Sequence, residues 1–183
     1  MRLDSSLAFV AAGAPLSLVA AAGIAVDSAV VDLIGSGPGT APPSIIGNVA
    51  TFGQDPGVGD GFLVPKLLVT VGTALVTANV ATLQVVLQGA PDLGVGGGYL
   101  PGAWQDLVES PAMTPAQALA NPVVARFDWP PVFPENLRPR YFRLEFRVPA
   151  ATNFTAGTIS AAYVTTVRDD QANKQAANNF VVA

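Results

Sequence analysis

The sequence contains no histidine and no cysteine. Without histidine, the chain lacks the side chain that most often acts as a general base near neutral pH, and it lacks a frequent zinc and copper ligand. Without cysteine, it has no thiol nucleophile and no disulfide bond. Enzymes that depend on these groups are excluded, and we expect the function to reside in the shape and surfaces of the protein.

Charge is also scarce. Asp, Glu, Lys and Arg make up 12% of the 183 residues, against about 25% in an average soluble domain. So few charges predict a surface partly covered by partners, including copies of the chain itself in a dimer or trimer. A monomer with a neutral surface rich in Thr, Gln and Asn is the alternative. The net charge of −4 argues against nucleic acid as a partner, because phosphate binding needs clustered Lys and Arg.

The apolar run from Leu7 to Val26 does not have the flanks of a membrane span. Arg2 is offset by Asp4, so no positive region precedes the run, and Asp27 follows it without basic residues. Glycine, proline and serine interrupt it. We therefore expect no membrane partner, although a signal peptide cut after residue 22 stays open as an alternative.

Apolar and β-branched runs of strand length recur along the chain with turn residues between them, a pattern typical of an all-β sandwich or barrel. Helical periodicity is confined to residues 114–119, where Thr114 is a candidate N-cap and Pro115 the first helical residue. The predicted strands are Leu7–Ala12, Leu16–Ala21, Ile24–Leu33, Ile45–Thr51, Phe62–Val71, Ala81–Gln88, Ala103–Glu109, Val123–Asp128, Tyr141–Val148 and Thr158–Thr165.

The strand Tyr141–Val148 alternates most clearly and predicts a half-buried antiparallel strand. Its apolar face carries Phe142, Leu144, Phe146 and Val148. Its opposite face carries Arg143, Glu145 and Arg147. Because charge is rare elsewhere, we expect these three side chains to be candidates for contact with a neighbouring subunit.

Segments rich in glycine and proline separate the strands. Residues 35–44 and 54–61 are predicted to form surface loops. Residues 128–139 hold four prolines and should run extended. This segment either contacts another subunit or packs on its own sandwich, and its candidate contact residues are Trp129, Phe133 and Arg138.

The chain is predicted to form one domain over residues 1–168, followed by an arm over residues 169–183. The arm is polar except for an apolar tip, which consists of Phe180, Val181 and Val182. Such a tip suits docking on a neighbouring molecule, and a disordered terminus is the alternative.

No motif nominates a catalytic, metal or cofactor site. The glycine-rich residues 94–98 lack the strand, helix and Lys-Ser/Thr context of a phosphate-binding loop. Asp169 and Asp170 lack the spaced carboxylates of a calcium loop. A glycosidase would need two facing carboxylates, and no spacing indicates such a pair. Stacking of a sugar on Trp104, Trp129 or Tyr99 is the basis of an alternative function, a carbohydrate-binding module on a virion or cell surface.

Five segments in this order resemble the capsid cement (decoration) proteins of tailed bacteriophages, in particular the Bordetella phage type. They are Val26–Leu33, Phe62–Val71, Ala81–Gln88, Arg140–Val148 and Phe154–Ala161. The resemblance implies a jelly-roll subunit. Residues 35–61, residues 129–139 and the tail beyond residue 168 depart from the family pattern. The expected fold is therefore a jelly-roll-like antiparallel β-sandwich to which this sequence adds long Gly/Pro-rich loops and extended terminal arms.

The resemblance further implies a non-enzymatic virion protein, made in the host cytoplasm, that binds the outer surface of the capsid. There it would hold neighbouring major capsid proteins together against the pressure of the packaged genome. No cofactor is expected, and the partners are the major capsid protein and copies of the chain itself.

Overall fold

The computed structural model describes residues 8–11, 13–33, 66–94, 100–120, 123–128, 137 and 139–165. Strands dominate this part of the chain, and one short helix joins two of them. The elements in chain order are β1 (Ala8–Val10), β2 (Leu16–Ser17), β3 (Val26–Asp27), β4 (Val31–Asp32), β5 (Lys66–Thr77), β6 (Gln84–Ala90), β7 (Gln105–Glu109), α1 (Pro115–Ala120), β8 (Val123–Asp128), β9 (Tyr141–Arg147) and β10 (Phe154–Thr165).

The strands form two five-stranded antiparallel sheets that pack face to face. The first sheet has the order β1-β10-β5-β8, with β2 also on β10. The second has the order β3-β9-β6-β7, with β4 also on β9. The predicted all-β sandwich is confirmed.

The pairing is nested along the chain. The first strands β1 and β2 pair with the last strand β10, the next two pair with β9, β5 pairs with β8, and β6 pairs with β7. This is a long antiparallel ribbon wrapped around itself, which is the arrangement of a jelly roll. Further pairing of β5 with β10 completes the first sheet, and pairing of β6 with β9 completes the second.

The core lies between the sheets and is built by alternation. In β9, the buried Phe142, Leu144 and Phe146 alternate with less buried charged residues, as predicted. The largest side chains that are fully buried are Tyr141, Phe9, Phe142, Phe146, Phe154, Leu67, Leu83, Leu87, Leu137, Leu144 and Ile159. Burial of apolar area on this scale is the dominant stabilising term for a sandwich of this size.

The predicted strand Ile24–Leu33 is instead two short strands, β3 and β4. Between them, the Ser28 hydroxyl accepts a hydrogen bond from the backbone NH of Leu144 at 2.8 Å, in place of a backbone carbonyl. The NH of Ala29 then donates to the carbonyl of Phe9 in the other sheet at 3.2 Å. A serine side chain and a cross-sheet hydrogen bond therefore interrupt the ladder.

Strands β5 and β10 are both longer than predicted. β5 continues past Val71 to Thr77, and β10 begins at Phe154 rather than Thr158. The added residues pair with one another through several register shifts. Gly157 lies within these shifts at φ +141°, a backbone conformation that favours glycine. The bulged pairing breaks the period-2 alternation of apolar and polar residues. For this reason the sequence did not predict residues 72–77 and 154–157 to be in strands.

The predicted helix start is confirmed. The Thr114 hydroxyl accepts a hydrogen bond from the NH of Gln117, and the Gln117 side-chain oxygen accepts one from the NH of Thr114 at 2.8 Å. This reciprocal pair is a capping box. The resulting helix α1 has six residues, and nowhere in the described ranges is a helix both long and apolar enough to cross a membrane.

Candidate interaction surface

The outer side of the second sheet carries a continuous set of paired charged and amide side chains, which we call the polar network. Its members come from four neighbouring strands, β3, β9, β6 and β7, and alternate with the buried core residues of those strands. The members are Asp27, Gln84, Gln88, Asp106, Glu109, Arg143, Glu145 and Arg147. The three charged residues singled out in the sequence are therefore brought together, with acids that the sequence did not associate with them.

Arg143 links three of the four strands. Its Nη1 donates to Asp27 on β3 at 2.5 Å, and its Nε donates to the side-chain oxygen of Gln88 on β6 at 2.8 Å. Gln88 in turn donates from Nε2 to Asp106 at 2.8 Å and to Glu145 at 3.1 Å. Because Gln88 is itself buried, these contacts fix the guanidinium rather than leaving it free in solvent.

Arg147 sits among three carboxylates. It donates to Glu145 on its own strand, its Nη2 donates to Asp106 at 2.8 Å, and its Nη1 lies 3.6 Å from Glu109. Burial lowers the pKa of Arg147, but hydrogen bonds and charge attraction to Asp106 and Glu145 together outweigh burial and raise it. Burial likewise raises the pKa of Asp106, but hydrogen bonds from Gln88 and Arg147 hold it below its usual value.

The polar network has an excess of negative charge, since two arginines face four carboxylates. Each arginine is already paired within the chain, at partly exposed positions. A partner would thus meet a pre-ordered, mildly acidic surface and would not have to immobilise long flexible side chains.

Trp104 lies at the edge of this surface and is half-buried. The guanidinium carbon of Arg143 lies 4.5 Å from the centroid of its ring, which is cation–π geometry. The ring face toward Arg143 is therefore occupied by a side chain of the same molecule.

A second ionic cluster is buried where β4, the start of β9 and the segment after β6 meet. Arg140 donates to both oxygens of Asp32, from Nε at 2.9 Å and from Nη2 at 2.8 Å, and from Nη1 to Asp92 at 2.5 Å. Its guanidinium also lies over the ring of Tyr141, 4.9 Å from the centroid. The hydrogen bond to Asp32 is the largest cause of the raised pKa of Arg140, and this cluster ties the sheet together at one end.

Three described loops at the opposite end of the sandwich contain no charged residue. They are residues 19–25, 77–80 and 149–153, and together we call them the charge-free end. The loops contact one another: the NH of Gly23 donates to the carbonyl of Thr152 at 2.9 Å, and Asn79 donates to the carbonyl of Ala151 at 3.1 Å. Large exposed aliphatic side chains at or beside this end are Val19, Ile24, Val76 and Val80.

The conformation of Val80 is unusual. This residue is 83% exposed and has φ +58°, in the left-handed region that β-branched residues rarely enter. Asn79, directly before it, holds the loop through hydrogen bonds with Thr77, Ala151 and Asn153. A rigid loop thus presents an aliphatic side chain to solvent.

The sequence-predicted contact residues are only partly placed by the structure. Arg143, Glu145 and Arg147 share one face, as predicted. The remaining candidates lie outside the described residues, and they are Trp129, Phe133, Arg138, Phe180, Val181 and Val182. The predicted strand 45–51, the loops 35–44 and 54–61 and the arm 169–183 also lie outside them. From the proline-rich segment, Leu137 is described and is fully buried.

Sequence reasoning identified Glu145 but not Arg140, Asp32 or the other three acids of the polar network. A usable signal was present for the latter, because Asp27, Asp106 and Glu109 lie inside predicted strands, where charged side chains usually have partners. In the described part of the chain, no group of three or more acidic side chains is arranged to hold a metal ion. Neither a scan against protein-family models nor a search of curated proteins finds a match for this chain.

Proposed function

We infer that the chain is a structural virion protein that binds the outer surface of a tailed-phage capsid and stabilises contacts between major capsid proteins. This role needs a rigid domain and binding surfaces and requires no catalytic residue. The protein would be made in the host cytoplasm and would end on the outside of the particle.

The observation that carries this proposal is where the resembling segments lie in the fold. Four of them overlap the four central strands of the two sheets, which are β5, β6, β9 and β10. The likeness thus covers the packed centre of the jelly roll, an architecture that capsid proteins use repeatedly. Differences fall in connections and arms, where contacts specific to one capsid would reside.

Binding only to the assembled shell would stabilise that shell by mass action. Many copies on a repeating lattice would add modest interfaces into strong attachment. The polar network is the proposed contact face because its side chains are ordered before binding and its acidic excess suits a basic surface on the capsid protein.

The test is co-sedimentation of the purified protein with capsids assembled without it. We expect saturable binding and a higher temperature of shell rupture. Arg147→Ala should weaken binding by about tenfold, since it breaks three contacts of the polar network. Lys66→Ala is the matched control, because it removes an exposed ion pair with Asp128 in the other sheet. Absence of binding would reject the proposal, and equal losses in both variants would reject the assigned face.

Carbohydrate binding is the alternative, and the half-buried Trp104 beside polar side chains is the observation in its favour. Against it, Arg143 already covers one face of that ring at 4.5 Å. Glycan-array binding that disappears in Trp104→Ala, together with no capsid binding, would favour this alternative.

A further inference from the structure

The charge-free end has the properties of a binding surface whose partner is apolar. Ile24 is 57% exposed and Val80 is 83% exposed, and no charged side chain lies in the three loops around them. Exposed aliphatic residues occur singly on many surfaces, but a group of them in a region without charge marks an interaction site.

The backbone of Val80 gives a second reason to regard this end as functional. A valine at φ +58° is strained, and asparagine or glycine would fit the same turn with less strain. Strain of this kind is typically retained where the side chain serves a purpose. At Val80, the side chain is an isopropyl group that is exposed to solvent. We therefore expect it to contact a partner.

The direction of β10 shows where the C-terminal residues leave the sandwich. β10 begins at Phe154, next to the charge-free end, and runs to Thr165, which pairs with Lys66 at the opposite end of the sheet. Its twelve residues span about 36 Å at the usual rise of a strand. The chain therefore leaves the sandwich pointing away from its own charge-free end.

Residues 166–183 follow and lie outside the described part of the chain. Their charged residues are close to β10, at positions 168–170 and 174, whereas Phe180, Val181 and Val182 form an uncharged apolar group. Phe180 is fifteen residue steps beyond Thr165, and a chain of that length can reach at most about 50 Å. This length is enough to reach the charge-free end of a second molecule placed next to Thr165. To reach the charge-free end of its own molecule, the chain would have to turn back along β10 and use about 36 of those 50 Å.

We propose that residues 180–182 of one molecule bind the charge-free end of a second copy, so that copies associate head to tail. The contact is heterologous: each copy has one donor arm and one acceptor end. Such contacts close into a ring or extend as an open chain. This self-association does not depend on capsid binding and is tested without capsids.

The experiment is sedimentation velocity on the full chain over a concentration series, using variants of both sides. Val80→Asp places a charge at the acceptor end, and aspartate tolerates the left-handed backbone, so the fold should survive. Phe180→Asp places a charge on the donor arm. Leu93→Asp is the matched control, because Leu93 is 57% exposed, as Ile24 is, but lies at the opposite end of the sandwich. Thermal unfolding of each variant verifies that it is folded.

We expect the wild type to self-associate, the control to do the same, and each of the two test variants to associate about ten- to one-hundredfold more weakly. The decisive sample is an equimolar mixture of Val80→Asp and Phe180→Asp. It retains one intact arm and one intact end, and so should form dimers and nothing larger.

A monomeric wild type would overturn the proposal. So would a loss of association in Phe180→Asp but not in Val80→Asp, because the arm would then bind elsewhere. A mixture that stays monomeric would show that the arm binds its own molecule or that the interface is symmetric, and either result overturns the head-to-tail contact.

Discussion

The guanidinium of Arg140 holds two carboxylates inside the protein, Asp32 through both oxygens and Asp92 through one. Arg140 and Asp32 are both 4% exposed. Removing one partner of a buried ion pair leaves a charge in a poorly solvated site, which costs much more than the loss of a surface pair.

At this residue scale, we expect Arg140→Ala to lower the free energy of unfolding by roughly 3–5 kcal/mol. Lys66→Ala, which removes an exposed pair with Asp128, should change it by less than about 1 kcal/mol. Urea unfolding followed by tryptophan fluorescence measures both. Similar losses in the two variants would mean that Asp32 is better solvated than its burial indicates.

At the scale of elements, a glycine of β10, Gly157, faces β5 at close range. A Cβ at Gly157 would lie 2.6 Å from Cδ2 of Leu75 and 3.2 Å from its Cα, so the Leu75 side chain would have to move and the backbone of β5 would have to shift slightly. Leu75 is a core residue, which leaves little room for adjustment.

We therefore expect Gly157→Ala to destabilise the protein by about 1–3 kcal/mol more than Gly13→Ala. Gly13 also has a positive φ, of +91°, but nothing lies within 4 Å of its would-be Cβ, so its variant measures backbone strain alone. The difference between their midpoints of thermal unfolding isolates the steric part. Equal midpoints would show that the strands can separate at little cost.

The elements also show what the sequence could predict. The alternation in β9 and the Thr114 cap were confirmed because both are set by residues a few positions apart. The break between β3 and β4 was missed because it depends on Ser28 meeting Leu144, 116 residues away. The buried pair of Arg140 with Asp32 spans 108 residues and left no local signal.

For the molecule as a whole, the polar network makes stability depend on acid pH. Asp106 has a pKa below its ordinary 3.8: burial raises it, but hydrogen bonds from Gln88 and Arg147 and charge attraction to Arg147 and Arg143 together outweigh burial. A lowered folded-state pKa contributes stability that is fully present above the unfolded value and is lost as pH falls through the folded value. The stability that Asp106 contributes is therefore lost at pH values below about 4.

We expect the unfolding temperature to drop between about pH 4 and pH 2, and Asp106→Asn to make that drop shallower while lowering stability at pH 7. Gln105→Ala, an exposed uncharged neighbour, should leave the slope unchanged. Thermal scans across this range provide the measurement. An Asp106→Asn slope identical to wild type would show that the carboxylate is not held by the network.

The nested order of the strands also affects how fast the protein folds. Ala8 pairs with Tyr163, and β5 can pair with β10 only after all the residues between them have been synthesised. Contacts so distant in sequence make a sandwich fold slowly, in about milliseconds to seconds. During synthesis, the first sheet cannot close until residues 154–165 have left the ribosome, so the early strands must wait, unpaired with β10, for nearly the full translation of the chain.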